Sequence, residues 1–274
     1  MLSTTTRPYL FAGNLLVTDI TKDLVSNDYL GQMPQDFDLG DKAKLADEIA
    51  LVWGIAKAHW VAFQQALGRL DENDSATSLT REQWVLPLLR ALGYDPFYTA
   101  KAEIIDNQTY AISHRSGQRR RNVEVAVDQR MAQCEGSYDL LGTADLENTP
   151  PLHIIGCRVG LEKRSQSGKP RISAHGLLQD YLNRTEHLWG VVTNGLQWRL
   201  LRDSSLMTKL TYVEFDLEQI MKGENFAEFG LFYRLFHRSR LPDNMEDSNK
   251  CLLEDYHQLT LQQGGRVRDK GLAV

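Results

Sequence analysis

Cysteine is scarce in this sequence. Its 274 residues include three cysteines, Cys134, Cys157 and Cys251, which are odd in number and far apart. A disulfide framework or a cysteine-rich zinc site needs paired or closely spaced cysteines, so we expect neither. The three thiols are predicted to be free and buried.

Long apolar runs are missing as well. The longest, such as 51–56 and 188–192, are far shorter than the ~18 to 20 residues that a membrane-spanning helix requires. The start of the chain has no basic segment followed by a sustained apolar one, as a secretory signal would have. We therefore expect a cytoplasmic protein that has no membrane partner.

Several motifs that carry known chemistry do not occur. The sequence has neither a Gly-x-x-x-x-Gly-Lys-Ser/Thr loop nor a Gly-x-Gly-x-x-Gly turn, which disfavours nucleotide-driven motors and dinucleotide enzymes. A Gly-x-Ser-x-Gly elbow and a histidine pair at the spacing of a zinc helix are also missing, which disfavours serine hydrolases and zinc proteases.

Charge of both signs is present, but it is unevenly distributed. The chain has 31 Lys and Arg against 36 Asp and Glu, a formal net charge of -5. Residues 156–202 nevertheless have a balance of +5, so the rest of the chain sums to -10. Such a local excess indicates a surface for nucleic acid. The basic residues of this segment are Arg158, Lys163, Arg164, Lys169, Arg171, Arg184, Arg199 and Arg202, and a preceding segment adds Arg115, Arg119, Arg120 and Arg121.

Apolar periodicity predicts the helices. A stripe at three- and four-residue steps over 45–67 indicates one long amphipathic helix, with Asp41 as its cap and Gly68 as its end. A second helix is predicted to begin at Thr80 and to end at Gly93. Later helices are predicted to start at Ser173 and to cover 226–236 and 247–263.

Alternating and β-branched runs predict the strands. Asn194-Gly195 is a strong hairpin signal, since a type I′ turn needs positive φ at both central residues. A second hairpin is predicted over 101–114, with its turn at 106–108. The remaining strands are predicted at 123–127, 138–141, 152–159 and 209–215. This order of elements indicates a mixed α/β chain with a mixed sheet in its middle.

An acidic residue, a turn, a strand, a helix and a further strand follow one another in the middle of the chain. The residues concerned are Asp139, the strand around 152–158, the helix with Gln179 and Tyr181, and the strand that ends at Asn194-Gly195. This arrangement resembles a PD-(D/E)XK nuclease domain.

More specifically, residues 80–265 resemble the N-terminal region of large single-chain restriction-modification methylases of bacterial defence systems. The segments that carry this resemblance are 89–94, 110–115, 178–184, 193–203 and 262–268.

The resemblance implies a restriction-endonuclease-like α/β fold whose mixed sheet is flanked by helices. It implies an N-terminal arm and long helix over 1–79, the nuclease-like core over 80–216 and C-terminal helices over 217–274. It also implies double-stranded DNA as partner, with other defence subunits as a further class. Methyl transfer is not expected, since the chain has neither an Asn-Pro-Pro-Tyr/Phe motif nor a Gly-rich turn for S-adenosylmethionine.

The catalytic positions implied by the resemblance are altered. Active members of the superfamily hold Mg²⁺ with two carboxylates and place a lysine beside the attacking water. Alignment on the strand puts Gly156 at the acid and Arg158 at the lysine, and leaves Asp139 as the remaining metal ligand. Arginine is a poor general base, although it can grip a phosphate. We therefore expect a degenerate, non-cleaving domain that needs no cofactor.

Two other interpretations stay open at this point. Asp139, Glu162 and Lys163 could form an active Mg²⁺-dependent endonuclease site, although the latter two residues fall beyond the expected end of the strand. Alternatively, the chain could be a protein-interaction module of a defence complex that never touches DNA. For the DNA-binding interpretation, the candidate contacts are Arg115, Arg119, Arg120, Arg121, Lys163, Arg164, Lys169, Arg171 and Gln179.

Overall fold

A seven-stranded mixed sheet organises the computed structural model, which describes residues 7–26, 29–118, 148–164, 171–204 and 211–271. The strands are β1 (Tyr9–Ala12), β2 (Tyr94–Tyr98), β3 (Glu103–Ile105), β4 (Gln108–Tyr110), β5 (His114–Gln118), β6 (Pro151–Ile154), β7 (Trp189–Thr193), β8 (Gln197–Arg202) and β9 (Tyr212–Asp216). The order in the sheet is β1-β9-β8-β7-β6-β5-β2, and β3 and β4 form a separate hairpin. Strands β6 and β7 are parallel, whereas the other neighbours are antiparallel.

Helices flank this sheet, as the sequence predicts for a mixed α/β chain. They are α1 (Ile20–Asp23), α2 (Leu45–Leu67), α3 (Thr77–Leu79), α4 (Leu86–Ala91), α5 (Ala174–Arg184), α6 (Leu217–Lys222), α7 (Phe226–Phe236) and α8 (Leu252–Gly271). A π-helical stretch, Thr80–Val85, joins α3 to α4, and Pro34–Phe37 and Arg238–Arg240 form 3₁₀ turns. Among the described residues, no helix is both long enough and apolar enough to cross a membrane.

Two apolar clusters cover the two faces of the sheet. The larger cluster contains Leu16 from the N-terminal arm, Trp84 and Val191 from the middle of the chain, and Phe232 from α7. The smaller cluster packs α5 and the β3–β4 hairpin against the opposite face, with Tyr110 and Leu178 at its centre. Strand β1 also pairs with β9, so the N-terminal arm joins the sheet, and residues of the C-terminal helices belong to the larger cluster.

The first two predicted helices form, with changed beginnings. Helix α2 covers the predicted stripe and is followed by Gly68, but its N-cap is Lys44 and not Asp41. The second helical region begins at α3, before Thr80. The Thr80 hydroxyl is therefore no N-cap and accepts a hydrogen bond from the Cys157 amide at 3.0 Å. Gly93, at φ +86°, follows the end of this region.

Both predicted hairpins form, but the turn chemistry differs. Gly195 has φ +83°, whereas Asn194 has no positive φ, so the predicted type I′ turn is wrong there. The Asn194 side chain instead accepts hydrogen bonds from the Leu196 and Gln197 amides. The two consecutive positive φ values that a type I′ turn needs occur at Asp106 (48°) and Asn107 (66°), between β3 and β4.

The prediction for the cysteines is confirmed where the structure describes them, whereas the C-terminal helix is shifted along the chain. Cys157 and Cys251 are free and buried, as expected, and Cys134 lies outside the described residues. The last helix begins at Leu252 and reaches Gly271, later than the predicted span of 247–263. The strands predicted at 123–127 and 138–141 also lie outside the described residues.

Candidate nucleic-acid interface

Strand β6 ends earlier than the sequence predicts. Its four residues, Pro151–Ile154, are buried, and the Ile155 amide still donates to the Thr193 carbonyl at 3.0 Å. Beyond that bond the chain leaves the sheet and forms turns up to residue 164. The predicted strand over 152–159 is therefore too long, so Gly156 and Arg158 lie in the loop that follows β6.

The space beside Gly156 is filled by the backbone. A Cβ atom at this position would lie 2.0 Å from the Ser75 carbonyl oxygen and 2.8 Å from the Thr77 hydroxyl. Ser75 belongs to the connection between α2 and α3, and Thr77 is the first residue of α3; both pack against the loop after β6. A side chain at residue 156, and with it a carboxylate, has no room unless this backbone moves.

Arg158 fastens that connection in place. Its guanidinium donates to the carbonyl oxygens of Leu67 at 3.2 Å, of Asp74 at 3.0 Å and of Asp71. The Leu67 carbonyl belongs to the last turn of α2, where carbonyl groups have no partner within the helix. The phosphate contact considered for Arg158 from the sequence therefore has no support in the geometry, since the guanidinium of this half-buried residue already donates to backbone carbonyl groups.

Glu162, the acid of the alternative catalytic set, belongs to a cluster around Arg199. The Arg199 guanidinium forms ion pairs with Glu162 and, at 2.5 Å, with Glu214, its cross-strand neighbour on β9. It also stacks on the Tyr212 ring, with 4.4 Å between the guanidinium carbon and the ring centroid. Because the Glu162 side chain is 59% exposed, the cluster lies at the surface on one side and inside the protein on the other.

His175 completes the Arg199 cluster from the first turn of α5. Its Nδ1 lies 3.0 Å from the Arg199 guanidinium and accepts a hydrogen bond, since arginine has only donors. Burial, together with the positive charge of Arg199, lowers the pKa of His175 to about 4. The imidazole is therefore neutral at physiological pH and adds no charge to the cluster.

Three cations around this cluster are exposed. Lys163 and Arg164 follow Glu162, and Arg171 precedes α5, whose N-cap Ser173 accepts a hydrogen bond from the Gly176 amide at 3.1 Å. None of the three forms an ion pair with another described residue. We call Lys163, Arg164 and Arg171 the cationic loop. Lys169, predicted to act with them, lies outside the described residues.

Arg115 lies inside the protein and not at the predicted DNA surface. Its side chain is 1% exposed and forms an ion pair with Glu103 on β3. It also donates to the Tyr181 hydroxyl at 2.5 Å and lies 3.1 Å from Nε2 of His187. Arg115 thus joins the sheet, α5 and the β3–β4 hairpin, and its guanidinium cannot contact a phosphate.

Gln179 is also occupied internally. Its amide donates to the Asn183 side chain at 3.0 Å and to the Arg202 carbonyl at 2.9 Å, which joins α5 to β8. Its exposure is 8%, too little for a base or phosphate contact. The other predicted site residues, Asp139, Arg119, Arg120 and Arg121, lie outside the described residues.

Arg199 and His175 have structural roles that the sequence interpretation missed. Arg199 entered it as one more charge of a basic segment. The pairing of β8 with β9 places Arg199 directly opposite Glu214. Opposite charges in such cross-strand pairs attract, so this register would have indicated the ion pair. For His175 there was no signal, because its partner lies on a different element.

Comparison with known proteins adds no relative. No protein-family model matches the chain, no curated protein matches its sequence, and no solved structure matches its fold. Within the described ranges, no cluster of three or more His, Cys, Asp or Glu side chains has an arrangement that could hold a metal ion.

Proposed function

We propose that the chain is a non-cleaving, DNA-engaging domain with a restriction-endonuclease-like fold, the N-terminal part of an adenine-type restriction-modification methylase. The observation that carries the proposal is the position of the cationic loop. Lys163 and Arg164 lie in the loop that follows β6 and Arg171 precedes α5, and none of the three forms an ion pair with another described residue. Gly156, at the start of the same loop, aligns with the acid position of a nuclease and is closed in by backbone.

The charge distribution supports a DNA contact at this loop. Three of the six arginines of residues 156–202 form ion pairs with acidic side chains: Arg199 with two glutamates, Arg202 with Glu254, and Arg184 with Asp180 and Asp106. Exposed cations without an acidic partner are the groups that bind phosphates and release counterions. Among the described cations of residues 156–202, Lys163, Arg164 and Arg171 fit this description.

The order of elements supports the nuclease-like assignment. Strand β6, helix α5 and strand β7 form a parallel strand-helix-strand unit in the centre of the sheet. The strand, helix and strand on which the resemblance rests therefore lie together. Since Asp139 lies outside the described residues, the proposal does not use its position.

The contacts beside the loop support a non-cleaving domain. An acid at residue 156 would meet the Ser75 carbonyl, and Glu162, the alternative acid, already forms an ion pair with Arg199. A carboxylate that binds Mg²⁺ must leave such a partner, because the cation would otherwise lie beside a guanidinium.

Cleavage is tested by incubating plasmid DNA with the purified chain and Mg²⁺ or Mn²⁺. We expect neither nicked nor linear product. Metal-dependent cutting that Asp139→Ala abolishes would contradict the proposal, and its loss in Glu162→Gln and Lys163→Gln as well would favour the endonuclease formed by these three residues.

DNA binding is tested by fluorescence anisotropy with a labelled duplex. For wild type we expect affinity that falls steeply between about 50 and 200 mM salt, because bound phosphates release counterions. The triple substitution Lys163→Gln, Arg164→Gln, Arg171→Gln should remove roughly three phosphate contacts and make the slope of log K against log salt shallower by about 2.7.

The matched control changes the same net charge elsewhere. Lys42, Lys44 and Lys101 are exposed and lie outside the basic segment, and their replacement by glutamine should leave the slope within about 0.5 of wild type. Equal effects of the two triple substitutions would show non-specific attraction to net charge. No affinity even at low salt would favour the protein-interaction module instead.

A further inference from the structure

Tyr98 is the most exposed aromatic side chain among the described residues, at 61%. It is the last residue of β2, an edge strand of the sheet. A single exposed apolar side chain is ordinary on a protein surface and needs no explanation. Tyr98 differs from that ordinary case, because two polar side chains from other elements contact its ring.

Arg81 lies over the ring and belongs to the π-helical stretch. Its guanidinium carbon is 5.3 Å from the Tyr98 ring centroid, within the distance at which a cation is attracted to the face of an aromatic ring. Single π-helical turns are rare and often occur at functional sites. Arg81 forms no ion pair with a described acid, its neighbour Glu82 included. Its positive charge therefore has no acidic partner within the described residues.

His114 contacts the ring from β5, the neighbouring strand. The two ring centroids are 5.6 Å apart and the ring planes meet at 75°, an edge-to-face arrangement. The imidazole is itself fixed, since its Nδ1 lies 2.9 Å from the Ser113 hydroxyl, which accepts a hydrogen bond from the Ile154 amide at 2.8 Å. Burial, together with the charge of Arg81, lowers the pKa of His114 to about 4. The imidazole is therefore neutral at physiological pH, and Arg81 supplies the positive charge beside the ring.

Two buried polar atoms of neighbouring residues lack a hydrogen-bond partner among the described residues. They are Nε of Arg81 and the hydroxyl of Thr99, the residue that follows Tyr98. Buried polar groups are nearly always hydrogen-bonded, so an unpaired one calls for an explanation. A ligand with acceptor oxygens over the ring would supply the partner that the Arg81 guanidinium lacks.

Tyr98 and Arg81 border the loop that follows β6. The register places Tyr98 opposite His114, and His114 opposite Leu152 on β6. At about 4.8 Å between neighbouring strands, Tyr98 is about 10 Å from Leu152, close to the end of β6. Thr80, which precedes Arg81, is hydrogen-bonded to the loop after β6. The ring and its cation therefore lie beside the segment that continues into the cationic loop.

We propose that Tyr98 and Arg81 form a stacking site for an unpaired nucleobase of DNA, which rests on the DNA-engaging function proposed for the cationic loop. The exposed ring of Tyr98 takes the base, and the guanidinium of Arg81 binds the adjoining phosphate. An aromatic ring beside a cation suits single-stranded nucleic acid, since every base has a π face. Within a duplex those faces are covered by neighbouring base pairs, so the ligand is a single-stranded extension of the bound duplex.

Fluorescence anisotropy compares a blunt duplex with the same duplex carrying a short single-stranded extension. For wild type we expect the extension to tighten binding roughly 5- to 150-fold, the gain from stacking one base. Tyr98→Ala should lose this gain and bind the blunt duplex as wild type does, whereas Tyr98→Phe should keep it, because the ring remains.

The matched control is Phe226→Ala. Phe226 is an exposed aromatic residue (43%) at the start of α7, and its replacement should leave the whole gain in place. Circular dichroism establishes that the variants are folded.

Two further measurements separate the roles of the ring and the cation. A fluorescent purine analogue in the extension, whose emission falls when it stacks, should dim on binding to wild type and to Tyr98→Phe but not to Tyr98→Ala. Arg81→Gln should make the slope of log K against log salt for the extended duplex shallower by about 0.7, the value for one phosphate of a single strand. The slope for the blunt duplex should stay unchanged.

Two results overturn the stacking site and leave the DNA-engaging function standing. One is an extension that adds no affinity to wild type, and the other is a gain that persists in folded Tyr98→Ala. Wild type that binds neither DNA at low salt would refute the function of the cationic loop, and the stacking site with it.

Discussion

Replacing Gly156 by alanine should destabilise the protein far more than an ordinary glycine substitution in a loop. The new Cβ atom would lie 2.0 Å from the Ser75 carbonyl oxygen, where ordinary contact begins at 3.4 Å. That oxygen or the loop after β6 must therefore move by about 1.4 Å. Overpacking costs ~1 to 3 kcal/mol, and since the obstacle is backbone fastened by Arg158, we expect about 3 kcal/mol.

Thermal unfolding followed by circular dichroism measures this effect. For a chain of this size, each 1 kcal/mol shifts Tm by about 2 to 4 °C, so Gly156→Ala should melt roughly 6 to 12 °C below wild type. Gly160→Ala is the control in the same loop, because the nearest atom to its Cβ would be the Lys163 Cβ at 4.0 Å. If both variants melt together, the space beside Gly156 is not filled and the argument for a blocked acid position fails.

Three further predictions concern Arg158, Arg199 and His153, the last a buried residue of β6. Arg158→Gln should lower the free energy of unfolding by about 1 to 3 kcal/mol in urea, because the carbonyl groups lose a charged donor. The salt slope of DNA binding should stay unchanged. A shallower slope would show that Arg158 contacts phosphate. Arg199→Met should cost about 3 kcal/mol, because Glu214 is left partly buried and unpaired, whereas Glu162→Gln at an exposed position should cost less than about 1 kcal/mol; equal losses in urea unfolding would contradict this difference. Burial lowers the pKa of His153 to about 4, below its unfolded value of about 6.5, so the unfolded state binds the proton first and stability falls as pH drops below 6.5. Between pH 7 and pH 5, His153→Gln should therefore lose about 2 kcal/mol less unfolding free energy than wild type, and an equal loss in both would show that His153 does not titrate this way.

Periodicity is a good guide to the elements of this fold. The helix over 45–67 and the strands around Asn194-Gly195 could be predicted because their apolar spacing reflects a buried face. The pairing of β2 with β5 could not, since Tyr94–Tyr98 contains Pro96 and has no alternation that distinguishes it from a loop. Strand β1 was hidden for a similar reason: its residues are only partly buried at the edge of the sheet.

The composition of the cationic surface could be predicted only in part. The positive balance over 156–202 pointed to the right segment, but sequence could not separate paired from unpaired cations. Arg202 finds Glu254 more than fifty residues away, at 2.9 Å, and Arg158 finds carbonyl groups at the end of α2. Such partners depend on tertiary packing. Of the many cations predicted to bind DNA, only Lys163, Arg164 and Arg171 are exposed without an acidic partner among the described residues.

The surroundings of Gly156 could not be predicted from the sequence either. The sequence indicates that glycine lacks a ligand atom, but the contact with Ser75 joins residues about eighty positions apart. No local sequence pattern predicts that contact. Because of this contact, residue 156 is a position where no side chain fits, and not only one where an acid is missing.

The decisive measurement is the salt dependence of DNA affinity, compared between wild type and the variant in which Lys163, Arg164 and Arg171 are replaced by glutamine. We expect wild type to bind a duplex with a steep slope of log K against log salt, and the slope of the variant to be shallower by about 2.7. An unchanged slope in the folded variant, or no binding by wild type at low salt, would contradict a DNA-engaging function of the cationic loop.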